Sequence, residues 1–403
     1  MFKYKIIYYF SIVIQLKMTQ SYPNQFKSKL PNVAISIFSR MSMLAQQHEA
    51  INLSQGFPDF EIDPRLTNLV THYMQKGFNQ YAPMPGTLEL RKAIAAKYEH
   101  YYNITIDSTE EITITAGGTE GLYSTIASLI HPGDEVITFE PAYDSYGPSV
   151  QSFGGKVVPI ELLAPYFQID WNVVRSKITE RTRLIIINNP NNPTGRILAK
   201  EDISSLEKIV EEKGIYVLSD EVYEHLVFEG KKHISVLESN ILRQKSFVVA
   251  SFGKVLHATG WKMGYVVANS LLTAEFRKIH QFNVFSVNTP IQYAVADYLE
   301  DISYYHNLSP LFQEKRDFVL ENLKSTAFQV LPCEGTYFLM VDYSNISQLK
   351  ELKFAEKLTK ENKVATIPIS AFYSSHKNQN LLRICFAKKE ETLNQALQNL
   401  RKV

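Results

Sequence analysis

The sequence has little cysteine and almost no net charge. Only two cysteines, Cys333 and Cys385, occur among its 403 residues. Two thiols in a chain of this length favour buried, reduced cysteines over a disulfide, as is typical of the cytoplasm. The 42 basic and 41 acidic residues nearly cancel, which leaves a formal net charge of +1. This balance gives no sign of nucleic acid or an anionic membrane as a partner.

The sequence also lacks an apolar run long enough to cross a membrane. Lys3 and Lys5 precede an apolar stretch at residues 6–14, whereas a bilayer-spanning helix needs about 20 residues. The stretch is slightly similar to a signal peptide, but no small-residue cleavage site follows it. We assign residues 1–29 to an amino-terminal extension or arm, and we favour either Met18 as the true start or an extension that is a dispensable tail.

What the sequence does contain is a large apolar fraction with a clear periodicity. The chain is 45% hydrophobic and 12% aromatic, which excludes wholesale disorder. Short β-branched runs alternate with longer segments of helical period, so we expect an α/β fold with a mostly parallel sheet flanked by helices. Strands buried on both faces are predicted at 111–115, 135–139, 183–187, 215–218 and 246–250.

Helical periodicity is clearest in two segments. Leu90, Ile94 and Tyr98 share one helical face, and apolar residues recur in the same way within 203–210, before a stop at Gly214. After about residue 300 the pattern changes, with a charged helix and strand-like pieces at 337–341 and 382–386. We therefore predict a smaller α+β domain from residues 30–63 and 300–403, beside a large domain at 64–299.

Chemically unusual residues follow the predicted strands, where open parallel sheets bind their ligands. Gly117 and Gly118 open a helix, an arrangement that suits an anion, although a Gly-Gly turn is usually only a turn. Asp220 ends a buried strand, where a carboxylate needs a positive partner such as a protonated ring nitrogen, unless it caps a helix. Lys254 lies in a glycine-flanked apolar segment, and burial lowers the pKa of a lysine, as a nucleophilic amine requires.

Two further strand ends carry aromatic and amide residues. Tyr143 follows the strand at 135–139 and suits stacking on a planar ring, although core packing is the commoner role of such a residue. The loop 188–195 contains four asparagines, and its two prolines, Pro190 and Pro193, force a rigid turn. The asparagines supply fixed donors and acceptors, although Asn-Pro pairs also serve shape alone.

Taken in order, these motifs resemble a known family. The series TAGGTEGLY, EPAYDSYGP, NNPNNPTG, SDEVYEHLVF and SFGKVLHATGWKMGY is similar to class I/II aminotransferases of the pyridoxal-phosphate (PLP) fold type I. It most resembles the branch with methionine- and kynurenine-type aminotransferases, over about residues 30–400. Each motif alone is modest, whereas five in order are specific.

The resemblance implies a role for each motif. Lys254 would hold PLP as a Schiff base and shuttle the substrate's α-proton, and Asp220 would pair with the pyridinium nitrogen. Tyr223 and Asn192 would contact the ring oxygen O3′, while Tyr143 stacks on the ring. The cofactor's phosphate would be bound by Gly118, Thr119, Ser251 and Lys262. At the last position many relatives carry arginine, so this chain would bind phosphate with less directional control.

The resemblance also implies residues for the substrate and for a partner subunit. Arg383 matches the arginine that binds the substrate's α-carboxylate, and the apolar segment around it disfavours a surface salt bridge. Asn192 and the backbone of Gly56 would line the same pocket. Tyr81 matches a residue that reaches the phosphate of the neighbouring subunit, so a homodimer with a shared active site is implied. Alone, this tyrosine would indicate packing.

These implications define an expected activity and two rivals. We expect a transaminase that moves an amino group between an amino acid and a 2-oxo acid, with no metal. No motif supplies a second cation for a distal carboxylate, and 281–288 is aromatic-rich, so methionine, aromatic or other uncharged side chains are expected. A PLP-dependent carbon–sulfur β-lyase is the nearest alternative. A PLP-binding transcriptional regulator would need a DNA-binding domain, for which the short extension has no room.

Overall fold

The computed structural model describes residues 27–301 and 303–403. The apolar stretch at 6–14 and Met18 lie outside the described residues. Two units are distinguished, Met1–Ala34 and Ile35–Val403. In the first, the described part consists of a bend and a turn, in which Val33 N donates to Leu30 O.

The second unit contains strands and helices in alternation. The strands are β1 Ile51–Asn52, β2 Ile112–Thr115, β3 Glu135–Glu140, β4 Lys156–Glu161, β5 Thr182–Asn188, β6 Tyr216–Asp220, β7 Ser246–Ser251, β8 Gly264–Val267, β9 Gln329–Val330, β10 Phe338–Asp342, β11 Val364–Ala365, β12 Ile367–Pro368 and β13 Leu381–Cys385. The helices are α1 Ile37–Gln47, α2 Pro64–Gln75, α3 Leu88–Tyr102, α4 Gly118–Leu129, α5 Tyr146–Ser152, α6 Trp171–Lys177, α7 Lys200–Lys213, α8 Asn240–Arg243, α9 Phe252–Val255, α10 Ser270–Asn283, α11 Thr289–Tyr298, α12 Ser303–His306, α13 Leu308–Leu323, α14 Glu351–Glu361 and α15 Glu390–Leu400. Short 3₁₀ helices cover Val236–Glu238, Thr259–Trp261 and Ile369–Phe372.

A seven-stranded sheet forms the centre, in the order β2-β8-β7-β6-β5-β3-β4. Strands β4, β3, β5, β6 and β7 are parallel, and β8 runs antiparallel to both of its neighbours. Neighbouring residues of one strand point to opposite faces, so Ile185 and Leu184 enter two different hydrophobic cores. The predicted strands buried on both faces are therefore confirmed.

Local sequence explains where several helices begin and end. Gly117 adopts φ +80° before α4, and Gly214 adopts φ +67° at the end of α7, a conformation that costs glycine little. Asp63 caps α2 by accepting from Arg65 N, and proline occupies the first turn. No helix in the described part of the chain is long and apolar enough to cross a membrane.

Residues after about 300 form mostly small sheets and helices. Strands β12, β13, β10 and β9 make a four-stranded antiparallel sheet, and β1 pairs in parallel with β11. The pairing of β1 with β11 brings the segment after residue 50 beside the carboxyl-terminal part. This contact agrees with the prediction that residues 30–63 and 300–403 belong to one smaller domain. The exact domain boundaries stay a prediction.

Two strands of the central sheet were not anticipated, and one cysteine prediction was partly wrong. Strand β4 contains Pro159 and exposed charged residues, as an edge strand can. Strand β8 has only four residues, and its first two belong to the lysine motif. Both cysteines are free, and Cys385 is buried as expected, but Cys333 is partly exposed because it lies in the loop before β10.

Candidate active site

A cavity of about 330 Å³ opens where several strands of the central sheet end. Asn188, Asp220 and Ser251 are the last residues of the adjacent parallel strands β5, β6 and β7, and all three line it. The predicted residues that line this cavity are Gly56, Gly118, Thr119, Tyr143, Asn192, Asp220, Tyr223, Ser251, Lys254, Lys262 and Arg383. The topology therefore brings together every predicted residue except Tyr81.

Lys254 lies in the one-turn helix α9, directly after β7. Its Nζ donates to Gly56 O at 3.3 Å, and it lies 5.6 Å from the ring centroids of Tyr223 and Tyr337. Burial lowers the pKa of the amine to about 8, because the charged form loses its hydration. No carboxylate within the described ranges forms an ion pair with it. The amine is therefore easier to deprotonate than an exposed lysine.

Asp220 is a buried carboxylate with hydrogen-bond partners but no cation. Its Oδ2 accepts from the Tyr146 hydroxyl at 2.7 Å, and Oδ1 accepts from Val222 N at 3.3 Å. Burial raises the pKa of the carboxyl to about 6, although the bond from Tyr146 opposes this shift. Among residues 27–301 and 303–403, no basic side chain lies within ion-pair distance. A cationic ligand group would satisfy this carboxylate.

The part of the cavity beside the start of α4 suits an anion. The amino-terminal end of α4 presents the backbone of Gly118 and Thr119, where free N–H groups and the helix dipole favour negative charge. A methyl group on Gly117 would come within 3.3 Å of Lys262 Nζ, so this ammonium lies against the same turn. Ser251 borders it from the end of β7.

Arg383 is a fully buried cation. Its side chain, in β13, is held by Nη1 donating to Asn192 Oδ1 and Nη2 donating to Ser54 O, both at 2.8 Å. The guanidinium also stacks 3.8 Å from the centroid of the Phe338 ring. Its Nε has no hydrogen-bond partner, and no carboxylate in the part of the chain described here pairs with it. Burial lowers its pKa to about 10. Such a group can receive a carboxylate in a bidentate manner.

The remaining predicted residues complete the wall. Tyr223 is buried, its ring lies edge-on to Tyr337 at 5.2 Å, and burial raises its pKa. The ring of Tyr143 lies 5.7 Å from that of Tyr146, and burial raises its pKa. Gly56 contributes its carbonyl, which accepts from Tyr337 as well as from Lys254.

Tyr81 lies outside the cavity of its own chain. Tyr81 is 82% exposed, and its ring lies 5.4 Å from that of the half-exposed Phe285, measured between ring centroids. Phe282 is 85% exposed nearby in sequence. Tyr81 and the aromatic-rich segment 281–288 were expected to contribute to an active site. Tyr81, Phe282 and Phe285 do not line this cavity. Their role stays a prediction.

Several lining residues were missed. Phe38, Gln55 and Phe338 enter from α1, the loop after β1, and β10. Nothing in the local sequence of the two phenylalanines distinguishes them from core residues. Tyr146 was quoted within EPAYDSYGP without a role. Its bond to Asp220 spans 74 residues of sequence, so only the tertiary structure reveals it.

The cavity fits pyridoxal phosphate. PLP combines a phosphate, a ring nitrogen that carries positive charge when protonated, and an aldehyde. The α4 turn with Lys262 offers an anion site, Asp220 offers an unpaired carboxylate, and Lys254 offers an amine with a lowered pKa. Arg383 remains free for a substrate carboxylate. The volume lies at the lower end of the range for small-molecule sites, about 300–1,000 Å³.

Comparisons with known proteins agree with this chemistry. The family model for aminotransferase class I and II matches residues 48–400. The methionine aminotransferase of Escherichia coli (strain K12) is 47% identical over 378 residues, which cover 94% of this chain and 98% of the relative. The kynurenine–oxoglutarate transaminase of Dictyostelium discoideum is 33% identical over 408 residues, covering 91% and 94%.

A solved structure shows the same fold. The crystal structure of YbdL from Escherichia coli, for which a methionine aminotransferase function is identified, superposes with a TM-score of 0.92 at 46% identity. The match covers 94% of this chain and 100% of that one. The expected family and fold class are thereby confirmed. The chain belongs to the class I and II aminotransferases and is a pyridoxal-phosphate-dependent transaminase of fold type I.

Proposed function

We propose that this transaminase takes its amino group from amino acids with uncharged side chains, such as methionine or aromatic amino acids, and passes it to a 2-oxo acid. One observation carries the proposal: the described cations that line the cavity are Lys254, Lys262 and Arg383. Each has a task at the cofactor or the α-carboxylate, so none is left for a distal carboxylate. Phe38 and Phe338, beside Arg383, supply an apolar surface.

Within this proposal Lys254 is the base. When bound, PLP carries the amino group and withdraws electrons from the substrate's α-carbon. With a pKa of about 8, roughly a tenth of the free Lys254 amine is uncharged at pH 7, which suits proton transfer near neutrality. Its Nζ would take the α-proton and return a proton on the cofactor side.

Other residues would orient the reactants. Arg383 would hold the α-carboxylate through its planar donors, with Asn192 and Gly56 beside it. Asp220 would keep the ring nitrogen protonated, supported by Tyr146. Since Asn192 Oδ1 already accepts from Arg383, its amide NH₂ is the group that would donate to O3′, together with the Tyr223 hydroxyl. Tyr143 would stack on the ring.

The phosphate would be bound by the amino-terminal end of α4. Gly118 and Thr119 would donate from the helix end, and Ser251 and Lys262 would add a hydroxyl and a positive charge. Lysine acts here as a point charge without the bidentate geometry of arginine. Phosphate anchoring would then keep the ring in place while covalent bonds change at the other end.

We also propose a homodimer in the cytoplasm. The exposed ring of Tyr81 and its neighbour Phe285 are suited to burial by a second copy, in which Tyr81 would approach the phosphate. Both cysteines are free, as is typical of a reducing compartment. Analytical ultracentrifugation tests the dimer. Mixing Tyr81→Phe and Lys254→Ala chains tests whether active sites are shared.

The experiment for the substrate compares amino donors one at a time. PLP-loaded protein is mixed with methionine, phenylalanine or aspartate, and single-turnover rates are followed by cofactor absorbance. We expect methionine or phenylalanine to react fastest. Much faster turnover of aspartate would overturn the proposal. The relatives described above are aminotransferases, which favours transamination over the β-lyase alternative. Release of pyruvate and ammonia from cystathionine without an amino acceptor would reverse that preference.

A further inference from the structure

A cluster of polar side chains is buried behind the cavity and does not line it. Lys97 Nζ donates to both carboxylate oxygens of Glu224, at 2.8 and 2.7 Å, and to the hydroxyl of Tyr265 at 2.9 Å. Tyr102 also donates to Glu224, at 2.8 Å, and contacts His233 Nδ1 at 3.1 Å. We call these five residues the Lys97 cluster.

The centre of the cluster is an ion pair sealed from solvent. Lys97 is 1% exposed and Glu224 is 5% exposed. Burial on its own would raise the pKa of Glu224, but Lys97 beside it holds that pKa at about 2. The carboxylate is therefore ionised and fixed by donors from three side chains, since Tyr265 also reaches it at 3.2 Å. Buried pairs of this kind are costly to assemble and are weak evidence for stability alone.

The cluster is joined to two of the segments that carry residues proposed to contact the ring. Glu224 lies in the turn that follows β6, and its N donates to Glu221 O at 3.0 Å. Asp220, the last residue of β6, and Tyr223, in the turn, both line the cavity. His233 Nε2 donates to the carbonyl of Asn189 at 3.1 Å, in the loop that carries Asn192.

A third connection runs to the strands around Lys254. Tyr265 belongs to β8, where it pairs with Ala250 of β7, the residue before Ser251. Through its partners in the Lys97 cluster, the Glu224 carboxylate thus joins the turn after β6, the loop 188–195 and the end of β7. Each of these elements comes from a distant part of the sequence, so their mutual position depends on side-chain contacts as well as on the sheet.

We propose that Glu224, held by Lys97, is a positioning residue for the cofactor ring. It acts through Asp220 and Tyr223, whose turn it anchors from behind, and it touches neither substrate nor cofactor. The inference rests on the proposed roles of those two residues. Loss of the ion pair would let the turn shift, which weakens PLP binding and changes the charge environment of the ring nitrogen.

The test separates positioning from stability. Glu224→Gln leaves the Lys97 charge buried without a partner and should lower the melting temperature. The double variant Lys97→Met/Glu224→Leu removes both charges and should recover most of that loss, because apolar replacements of buried pairs are often neutral. We expect the double variant still to bind PLP about tenfold more weakly, as losses of supporting contacts behind a binding group commonly do.

The second readout is the pH midpoint of the bound cofactor's visible absorption. The midpoint of the double variant should move in the same direction as that of Asp220→Asn. Wild-type PLP affinity together with a wild-type midpoint would overturn the inference. If Asp220→Asn itself changes neither property, the proposed role of Asp220 fails. If only Asp220→Asn changes them, the inference alone fails.

Two further variants complete the design. Glu135→Gln removes another buried carboxylate, which binds Thr179 and Arg181 at the start of β3, away from the site. It should lower stability without changing PLP affinity or the midpoint. If the double variant does not fold, Tyr102→Phe decides, because it keeps the ion pair and removes one bond to Glu224 together with the contact to His233. A smaller loss of PLP affinity supports the inference, and unchanged affinity contradicts it.

Discussion

Replacing Arg383 with lysine keeps the positive charge and removes the planar donor fork. In the structure this fork is held by Asn192 Oδ1 and Ser54 O and by stacking on Phe338. Lysine has the length to place one ammonium near the substrate's carboxylate, but it cannot make two parallel bonds. The variant therefore separates the geometry of carboxylate binding from its charge.

The expected loss follows from one missing charge-assisted hydrogen bond. Such a bond contributes about 1.5–3 kcal/mol, and more where both groups are buried. Since Arg383 is 1% exposed, the upper part of that range applies. A loss of about 2–3 kcal/mol lowers kcat/KM by about 30- to 150-fold. PLP itself should still bind, because Arg383 is assigned to the substrate.

The assay measures kcat/KM for methionine and, separately, the visible absorption of the bound cofactor. Arg401→Lys, at an exposed arginine that contacts Asn322, is the matched control and should behave as wild type. Wild-type kcat/KM in Arg383→Lys would refute the carboxylate assignment. Loss of PLP together with activity would show that the arginine instead supports the cofactor site.

Three further predictions concern the cofactor end and the fold. Burial raises the pKa of Asp220 from 3.8 to about 6, so the unfolded chain ionises first as pH rises. Cofactor-free protein should therefore lose about 2 kcal/mol of stability between pH 4 and 6. Urea unfolding should show this loss in wild type and not in Asp220→Asn, and a pH-independent difference between the two would contradict it. Lys262→Ala should weaken PLP binding about tenfold, and Lys262→Arg should restore part of that affinity. Equilibrium titration measures both affinities, and an unchanged affinity in Lys262→Ala would contradict the assignment of Lys262 to the phosphate. Gly264→Ala should destabilise the protein by about 1–3 kcal/mol, because the new methyl would lie 2.7 Å from Ala250 O and 2.8 Å from Gly117 C. Gly260→Ala is the control in thermal melting. Its new methyl would meet no atom within 4 Å, so its melting temperature should change little.

Much of the site could be predicted because its residues follow directly on strands. A buried strand is visible in sequence as an apolar run, and the polar residue that ends it stands out. Asp220 and Ser251 occupy such positions, and the parallel order of β6 and β7 then brings them together. For Lys254 and Arg383, the resemblance supplied the role, and the structure adds their burial and partners.

The rest could not be predicted because it depends on contacts between distant segments. Strand β8 is short and lies within a segment identified by its lysine, so its place between β2 and β7 was not foreseen. Phe338 lines the cavity and Tyr146 donates to Asp220, although these two residues are far apart in the sequence. The Lys97 cluster was missed for the same reason, since Lys97 and Glu224 are 127 residues apart and each resembles an ordinary helix or turn residue.

The most direct test of the central claim is to locate the covalent bond between the protein and PLP. The PLP-loaded protein is reduced with borohydride and digested, and the modified peptide is sequenced by mass spectrometry. We predict one phosphopyridoxyl group per chain, on Lys254, and none in Lys254→Ala. Labelling of Lys262 or another lysine in the wild-type protein, or the same label in Lys254→Ala, would contradict the account.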